Sequence, residues 1–277
     1  MSRGIDVRHL GRAHVICAHQ VDGMIVDPGP ASSVDELLAA LGDEAPRALL
    51  LTHIHLDHAG AAGVLARAFP SLTVYVHERG ARHLIDPSRL LTSVERLYGE
   101  DMERLWGEVA PVPAERVQAL SGGETVEGMR VAYTPGHASH HVCYLHEDTG
   151  EAFVGDVAGV RLPGSTYTIA PTPPPDIDVE AWLSSIDEVE GWSPTALCLT
   201  HFGRHEDVSG QLERARVSLR ERAELARTIG PEEFAHFSEA QTRAAVADSE
   251  TVEALIQAAP PDTLGVGLRR YWEKRGA

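Results

Sequence analysis

Aromatic side chains make up only 5% of the 277 residues, so a core has to come from Ala, Leu and Val. Positive charge is scarce as well. There are 24 Lys+Arg against 41 Asp+Glu, a formal net charge of -17, and Lys274 is the one lysine. A surface that acidic repels polyanions, which argues against DNA or RNA as a partner. Cysteine is limited to Cys17, Cys143 and Cys198, an odd and scattered set without a CxxC pair. Neither a disulfide framework nor a cysteine zinc knuckle is expected from it. The first residues, Met-Ser-Arg-Gly-Ile-Asp, hold no apolar leader, and no stretch approaches membrane-span length. The expectation is a soluble, cytoplasmic protein with no membrane partner. Hydrophobic residues at 43% and charged residues at 23% are ordinary for a globular chain and exclude a disordered one. Histidine is what the chain has in quantity: 15 residues, several of them grouped.

Strand-like stretches are expected at 12–19, 23–27, 47–52, 72–77, 130–134, 141–146, 152–155 and 196–200. Helical spacing covers 33–41, 59–69, 89–109 and 179–190, with Pro111 and Pro113 closing the third. Residues 162–175 are rich in Pro, Gly and Thr and read as a long loop. After His201 the pattern is helical throughout, at 210–228, 231–247, 251–258 and 262–274. Strands alternating with helices define an α/β protein whose sheets are covered by helices on their outer faces. Two regions are expected, a catalytic domain at 1–208 and a helical C-terminal region at 209–277.

The chemistry is concentrated in His53-Ile54-His55-Leu56-Asp57-His58, directly after the apolar run that ends at Thr52. Strand ends facing a crevice are where α/β proteins usually place ligands. Imidazole nitrogens with a carboxylate suit zinc, iron or manganese. Chance would produce such an HxHxDH pattern in roughly a few chains per thousand of this composition, so coincidence is a weak explanation. Three more positions repeat the arrangement of an apolar strand ending in His or Asp: His137, Asp156 and His201. Seven such side chains are enough for two metals with a shared carboxylate.

His53-x-His55-x-Asp57-His58, followed in order by His137, Asp156 and His201, resembles the ligand set of the metallo-β-lactamase superfamily. The resemblance implies an αββα sandwich with an all-helical C-terminal extension. It assigns His53, His55 and His137 to one metal and Asp57, His58 and His201 to a second, with Asp156 bridging. It implies two divalent ions per chain, zinc first, with iron and manganese also suited. Asp27 would support the site from behind, as would Thr52 and Thr200. Among the branches, glyoxalase II-like thioesterases and related lactonases are most similar. Persulfide dioxygenases share the motif with a single iron and stand as the alternative. A third reading is a metal-binding protein without hydrolytic activity.

The expected reaction is cleavage of an ester, thioester or lactone by a metal-bridging hydroxide, since a single zinc already brings bound water to a pKa of about 7. Asp57 would orient that hydroxide. Tyr167, in the loop after Asp156, is the candidate to polarise the substrate carbonyl. The pocket wall is expected from residues 162–175 and the terminal helices, which favours a neutral, largely apolar acyl group in a small-molecule substrate. His140, Arg161 and Arg204 lie close to ligands in sequence without a defined role, and a homodimer is left open.

Overall fold

The computed structural model describes residues 1–276 and contains two six-stranded sheets. The first runs β1 (Arg3–Asp6), β2 (Cys17–Val21), β3 (Met24–Val26), β4 (Ala48–Leu50), β5 (Thr73–His77) and β6 (Val117–Leu120), adjacent in that order. Pairing is antiparallel up to β3 and parallel from β3 to β6. The second contains β7 (Thr125–Val126), β8 (Met129–Tyr133), β9 (Val142–His146), β10 (Glu151–Gly155), β11 (Ala196–Leu199) and β12 (Gly203–His205), again adjacent in order. Within it only β10 and β11 are parallel.

Side-chain alternation sorts the sheet residues into two cores. Met24, Val26, Ala48 and Leu50 on the first sheet meet Val131, Tyr144 and Phe153 on the second, forming the seam between the sheets. The alternate residues Ile25, Leu49 and Leu51 face outward under α1 (Val34–Leu41) and α3 (Ala62–Ala68). A strand buried on both faces has to be apolar at every position, which explains the uninterrupted Leu49-Leu50-Leu51. Each such side chain contributes about 1.5–3 kcal/mol through burial. On the far side, Leu145, Val154 and Leu197 lie under α7 (Val179–Gly191) and α8 (Val208–Thr228). The layers are therefore helix, sheet, sheet, helix.

Three further helices follow: α9 (Pro231–Ala245), α10 (Ser249–Ala258) and α11 (Pro261–Lys274). Proline opens the first and third, where its missing N–H costs nothing. Asp248 caps the second by accepting from the Thr251 N–H at 2.8 Å. Their apolar faces join the outer core through Phe234, Leu255 and Leu268. Thr172 Oγ1 donates to the Leu264 carbonyl at 2.9 Å, tying the loop at 162–175 to α11. No helix among the described residues is long and apolar enough to cross a membrane.

The sequence expectations differ from this fold where local pinning overrides pattern. The strand expected at 12–19 begins only at Cys17, because the Asp6 carboxylate accepts from the Arg8 and His14 N–H groups and folds that stretch into a loop. The helix expected at 89–109 is divided into α5 (Ser88–Tyr98) and α6 (Met102–Trp106) at Gly99, where φ is +51°. The first turn of the helix expected at 59–69 is a separate α2 (Leu56–Ala59), and α4 (Glu78–Ile85), directly after β5, carried no expectation at all.

Candidate metal centre

Five strands deliver polar residues at their C-terminal ends, and those ends meet at one edge of the sandwich. Asp27 follows β3, His53 follows β4, His137 follows β8, Asp156 follows β10 and His201 follows β11. Between His53 and α2, His55 is extended (φ -61°, ψ 149°) and its carbonyl accepts from the His58 and Ala59 N–H groups. That cap places Asp57 and His58 on the first helical turn, facing the strand ends. Gly155 has φ +48°, and a Cβ there would lie 2.6 Å from Thr52 Oγ1 and 2.7 Å from His141 Nε2. The turn that aims Asp156 thus requires glycine.

Two groups of ligating side chains result: His53, His55, His137 and Asp156 in one, and Asp57, His58 and His201 in the other. Within each, the metal-binding atoms lie within 4.8 Å of one another. Asp156 lies between them. Its Oδ2 is 3.0 Å from His137 Nε2 and 3.9 Å from His53 Nε2, while Oδ1 is 3.5 Å from His58 Nε2 and 3.7 Å from His201 Nε2. All seven residues named from the sequence are in these two groups.

The donor set fits divalent cations on three counts. First, four histidines have Nδ1 held from behind: His53 by Thr52 Oγ1 at 3.1 Å, His58 by Asp27 Oδ2 at 2.8 Å, His137 by the Pro171 carbonyl at 2.9 Å and His201 by the Val15 carbonyl at 2.6 Å. Each acceptor fixes the tautomer whose Nε2 lone pair points inward. Second, the Nε2 atoms of His53 and His137 converge on His55 Nδ1 at 3.0 and 3.1 Å, bringing three ring nitrogens together. Third, His58 Nε2 and Asp156 Oδ1 are buried with no hydrogen-bond partner. An unsatisfied buried polar group costs about 1–3 kcal/mol, and a cation would satisfy both.

Asp27 is the hub behind the site. It is fully buried, and its Oδ1 accepts from the Thr52 N–H at 2.8 Å. Its Oδ2 accepts from Thr52 Oγ1 and Thr200 Oγ1 at 2.7 Å each and from His58. His141, to which sequence reasoning assigned no role, holds Asp156: its Nδ1 meets Thr134 Oγ1 at 3.0 Å and its Nε2 accepts from the Asp156 N–H at 3.4 Å.

Electrostatics divides the two groups. Burial drives His53 and His55 below the ordinary histidine value, and the neighbouring rings add to it, taking His55 to about 3. Burial also opposes charge on His58, yet Asp156, Asp57 and Asp27 outweigh it and hold that ring well above the ordinary value. His201 is raised for the same reason, by Asp57 and Asp156 against its own burial. For Asp57 and Asp156 burial favours the neutral acid, but the facing histidines, His58 among them, leave both carboxyls well below the usual range. Burial pushes the Cys17, Cys143 and Cys198 thiols up to about 12, so none offers a thiolate nucleophile.

A cavity of about 500 Å³ opens onto His55, Asp57, His137 and Asp156. Pro171 and Pro173–Pro175 line it, as do Ala258 at the end of α10 and Leu264 near the start of α11, so part of its wall comes from the loop and the terminal helices. His140 lines it too. The remainder was not foreseen: α4 and α5 contribute Arg79, Arg82 and Arg89. Arg79 and Arg82 are spaced i, i+3 in a stretch directly after a strand, and that helical spacing was the available signal. The wall is therefore not neutral.

Tyr167 needs correction. Its hydroxyl is 3.3 Å from both Gln241 Oε1 and Thr242 Oγ1 and accepts from Arg222 Nη2 at 3.2 Å, and it lines a separate hollow beside α8 and α9. The bridge between Val160 and Ile169 folds the loop so that only its proline end reaches the metal-side cavity. Tyr167→Phe should leave kcat within about twofold and cost about 1 kcal/mol of stability, the usual value of one hydrogen bond. Steady-state kinetics and urea unfolding check this, and a tenfold drop in kcat at unchanged stability would restore the tyrosine to the mechanism. Arg161 and Arg204 also lie outside the cavity. Arg161 donates to the Ser165 carbonyl at 2.7 Å, and Arg204 pairs with Glu151 at 2.6 Å.

The profile of the metallo-beta-lactamase superfamily matches residues 11–201, and the chain belongs to that superfamily, whose members are mostly hydrolytic metalloenzymes. It is 27% identical over 206 residues to the metallo-beta-lactamase fold-containing protein ST1585 of Sulfurisphaera tokodaii, a match covering 72% of this chain and 75% of that one. The solved structure of ST1585 from Sulfolobus tokodaii superposes with a TM-score of 0.70 over 98% of each chain, at 21% identity. A hydroxyacylglutathione hydrolase of Synechococcus sp. is 31% identical over 136 residues, which is 48% of this chain and 42% of that enzyme. TTHA1623, solved in a di-iron-bound form, is similar at a TM-score of 0.54 and 25% identity, over 72% of this chain and 91% of that one.

Proposed function

We propose that this chain is a dinuclear metal-dependent hydrolase that cleaves an ester, thioester or lactone in a small-molecule substrate. The observation that carries the reading is Asp156, with one carboxylate oxygen facing each ligand group. His53, His55 and His137 would hold the first cation and Asp57, His58 and His201 the second. Bound divalent cations would supply the Lewis acidity that makes water nucleophilic near neutral pH and polarises an acyl carbonyl. The side chains do the rest. Asp57 is the ligand whose side chain is 26% exposed toward the cavity, with Oδ2 3.3 Å from His201 Nε2. Ionised there, it orients the attacking water and accepts its proton. His140, half-buried and held neutral with a pKa of about 3 by desolvation and by His55, shapes the mouth without adding charge. The similarity to hydroxyacylglutathione hydrolases supports thioester cleavage, and the di-iron form of TTHA1623 keeps iron beside zinc as the metal.

Elemental analysis of protein purified without added metal, together with an ester, lactone and thioester panel, tests the proposal. Two equivalents with turnover are expected. One iron with oxygen uptake would instead support a persulfide dioxygenase, and metal without turnover a binding protein.

The histidine shifts give the pH dependence a sign. With raised values, His58 and His201 hold protons into the neutral range in the metal-free protein, and a cation must displace them. His53 and His55, with lowered values, are already neutral there. Affinity at the second group should therefore fall first as pH drops, and the chain should pass from two equivalents to one before it loses the last. Metal analysis after dialysis at successively lower pH measures it. Simultaneous loss of both equivalents would show that the two groups do not differ as described.

A further inference from the structure

The cavity over the ligand groups carries three arginines in a chain whose net charge is -17. Many arginines elsewhere are neutralised, such as Arg47 by Glu127, Arg67 by Glu108, Arg216 by Asp187 and Glu190, and Arg243 by Glu239 and Glu253, while others, such as Arg116 and Arg222, are satisfied by hydrogen bonds alone. Arg79, Arg82 and Arg89 form no such ion pair among the described residues. Arg79 is nonetheless positioned. It lies over the Tyr133 ring at 5.4 Å and donates to the Tyr133 hydroxyl at 2.8 Å, beside the Ser139 carbonyl. Arg82 Nε donates to His83 Nε2 at 3.1 Å. Burial, then the Arg82 and Arg89 charges against Asp86, hold His83 below its ordinary value. Four carboxylates also line the cavity: Asp57 and Asp156 in the ligand groups, and Glu78 and Asp176, the last accepting from Ser139 Oγ at 2.6 Å. The same cavity is also lined by apolar Leu90, Val94 and the prolines 173–175.

We propose that the substrate carries an anionic group, a carboxylate or a phosphate, at the end of its acyl chain or leaving group remote from the scissile bond, and that Arg79, Arg82 and Arg89 bind it. Guanidinium groups match both oxyanions through paired N–H donors, and arginine stays charged at every relevant pH. Unpaired cations at one end and a carbonyl-activating site at the other fix both the direction and the span of the bound molecule. An apolar stem between them suits the leucine and proline walls. The neutral acyl group expected from composition would leave all three arginines unused.

This inference rests on the hydrolase reading, and the test separates the two. Metal-loaded protein is given a matched set of thioesters whose remote end is a methyl, a carboxylate, a phosphate or a trimethylammonium group. Both anionic members should exceed the methyl member at least about tenfold in kcat/KM, and the cationic one should be worst, with the advantage shrinking in added salt. The better of the two anionic ends identifies the source of the charge. In the double variant Arg82→Gln/Arg89→Gln the anionic-to-neutral ratio should collapse toward one, mainly through KM. Independently of turnover, titration of the wild type with linear dicarboxylates of increasing length should show tighter binding than monocarboxylates of equal length, and the variant should lose the difference. Hydrolysis with no preference for an anionic end would overturn the arginine assignment and leave the hydrolase intact. RNA cleaved in preference to every thioester would overturn it as well. If nothing is hydrolysed, the hydrolase reading falls, and equal binding of dicarboxylates and monocarboxylates would then remove the arginine assignment too.

Discussion

Asp57→Asn is expected to lower kcat by on the order of 10²-fold or more while leaving the first metal equivalent in place. Asparagine preserves size and one carbonyl oxygen but removes the charge that orients water and accepts a proton. The first equivalent depends on His53, His55 and His137, none of which Asp57 holds. His201 Nε2, 3.3 Å from the missing carboxylate oxygen, loses one of its two facing acids, and the second equivalent should bind more weakly. Metal analysis alongside steady-state kinetics at saturating metal separates the two effects. Near-normal turnover in that variant would remove Asp57 from the mechanism.

Asp156→Ala should act on both equivalents at once. Its carboxylate oxygens face different groups, and the side chain is buried among four imidazoles, so its loss removes one ligand from each group. Changing a residue one step behind a metal typically costs 10–100-fold, so losing a shared ligand should cost turnover more than about 10²-fold. Asp156→Asn, which keeps the shape and the His141 contact, distinguishes lost charge from local collapse. Both variants should retain far-ultraviolet circular dichroism like that of the metal-free wild type. A variant that still holds two equivalents would show that the carboxylate does not bridge.

The two candidate groups of ligating side chains were legible because their chemistry is written in short range. His53 follows Leu49-Leu50-Leu51, and His201 follows Leu197-Cys198-Leu199, so the change from apolar run to ligand marks the strand end in the sequence itself. The αββα layering came with the motif, since the apolar runs alone do not say which sheet a strand joins. The far wall of the cavity was not legible. Helix α4 is polar and mostly exposed on one side, and its arginines gain meaning only when the β5–α4 turn brings them into the wall of the cavity that Asp57 also lines. Tyr167 failed for the opposite reason. Closeness in sequence to Asp156 was a poor guide to closeness in space once the loop crossed to the Arg222 side. His141 was hidden because a buried histidine is indistinguishable by pattern from one that bonds a ligand's backbone.

Neither ligand group belongs to a single sheet. His53 and His55 come from the first half of the chain and His137 and Asp156 from the second, while Asp57 and His58 are completed only by His201. Each cation would therefore act as a cross-brace between two halves that also touch along a greasy seam of Leu50, Tyr144 and Phe153 and through the Asp27–Thr200 hydrogen bond. Its grip adds to the docking of the halves by mass action, about 4 kcal/mol for each at a thousand times the dissociation constant. A chelator should thus loosen this edge of the sandwich while the opposite edge stays shut, and the metal content would set how far the two halves breathe apart.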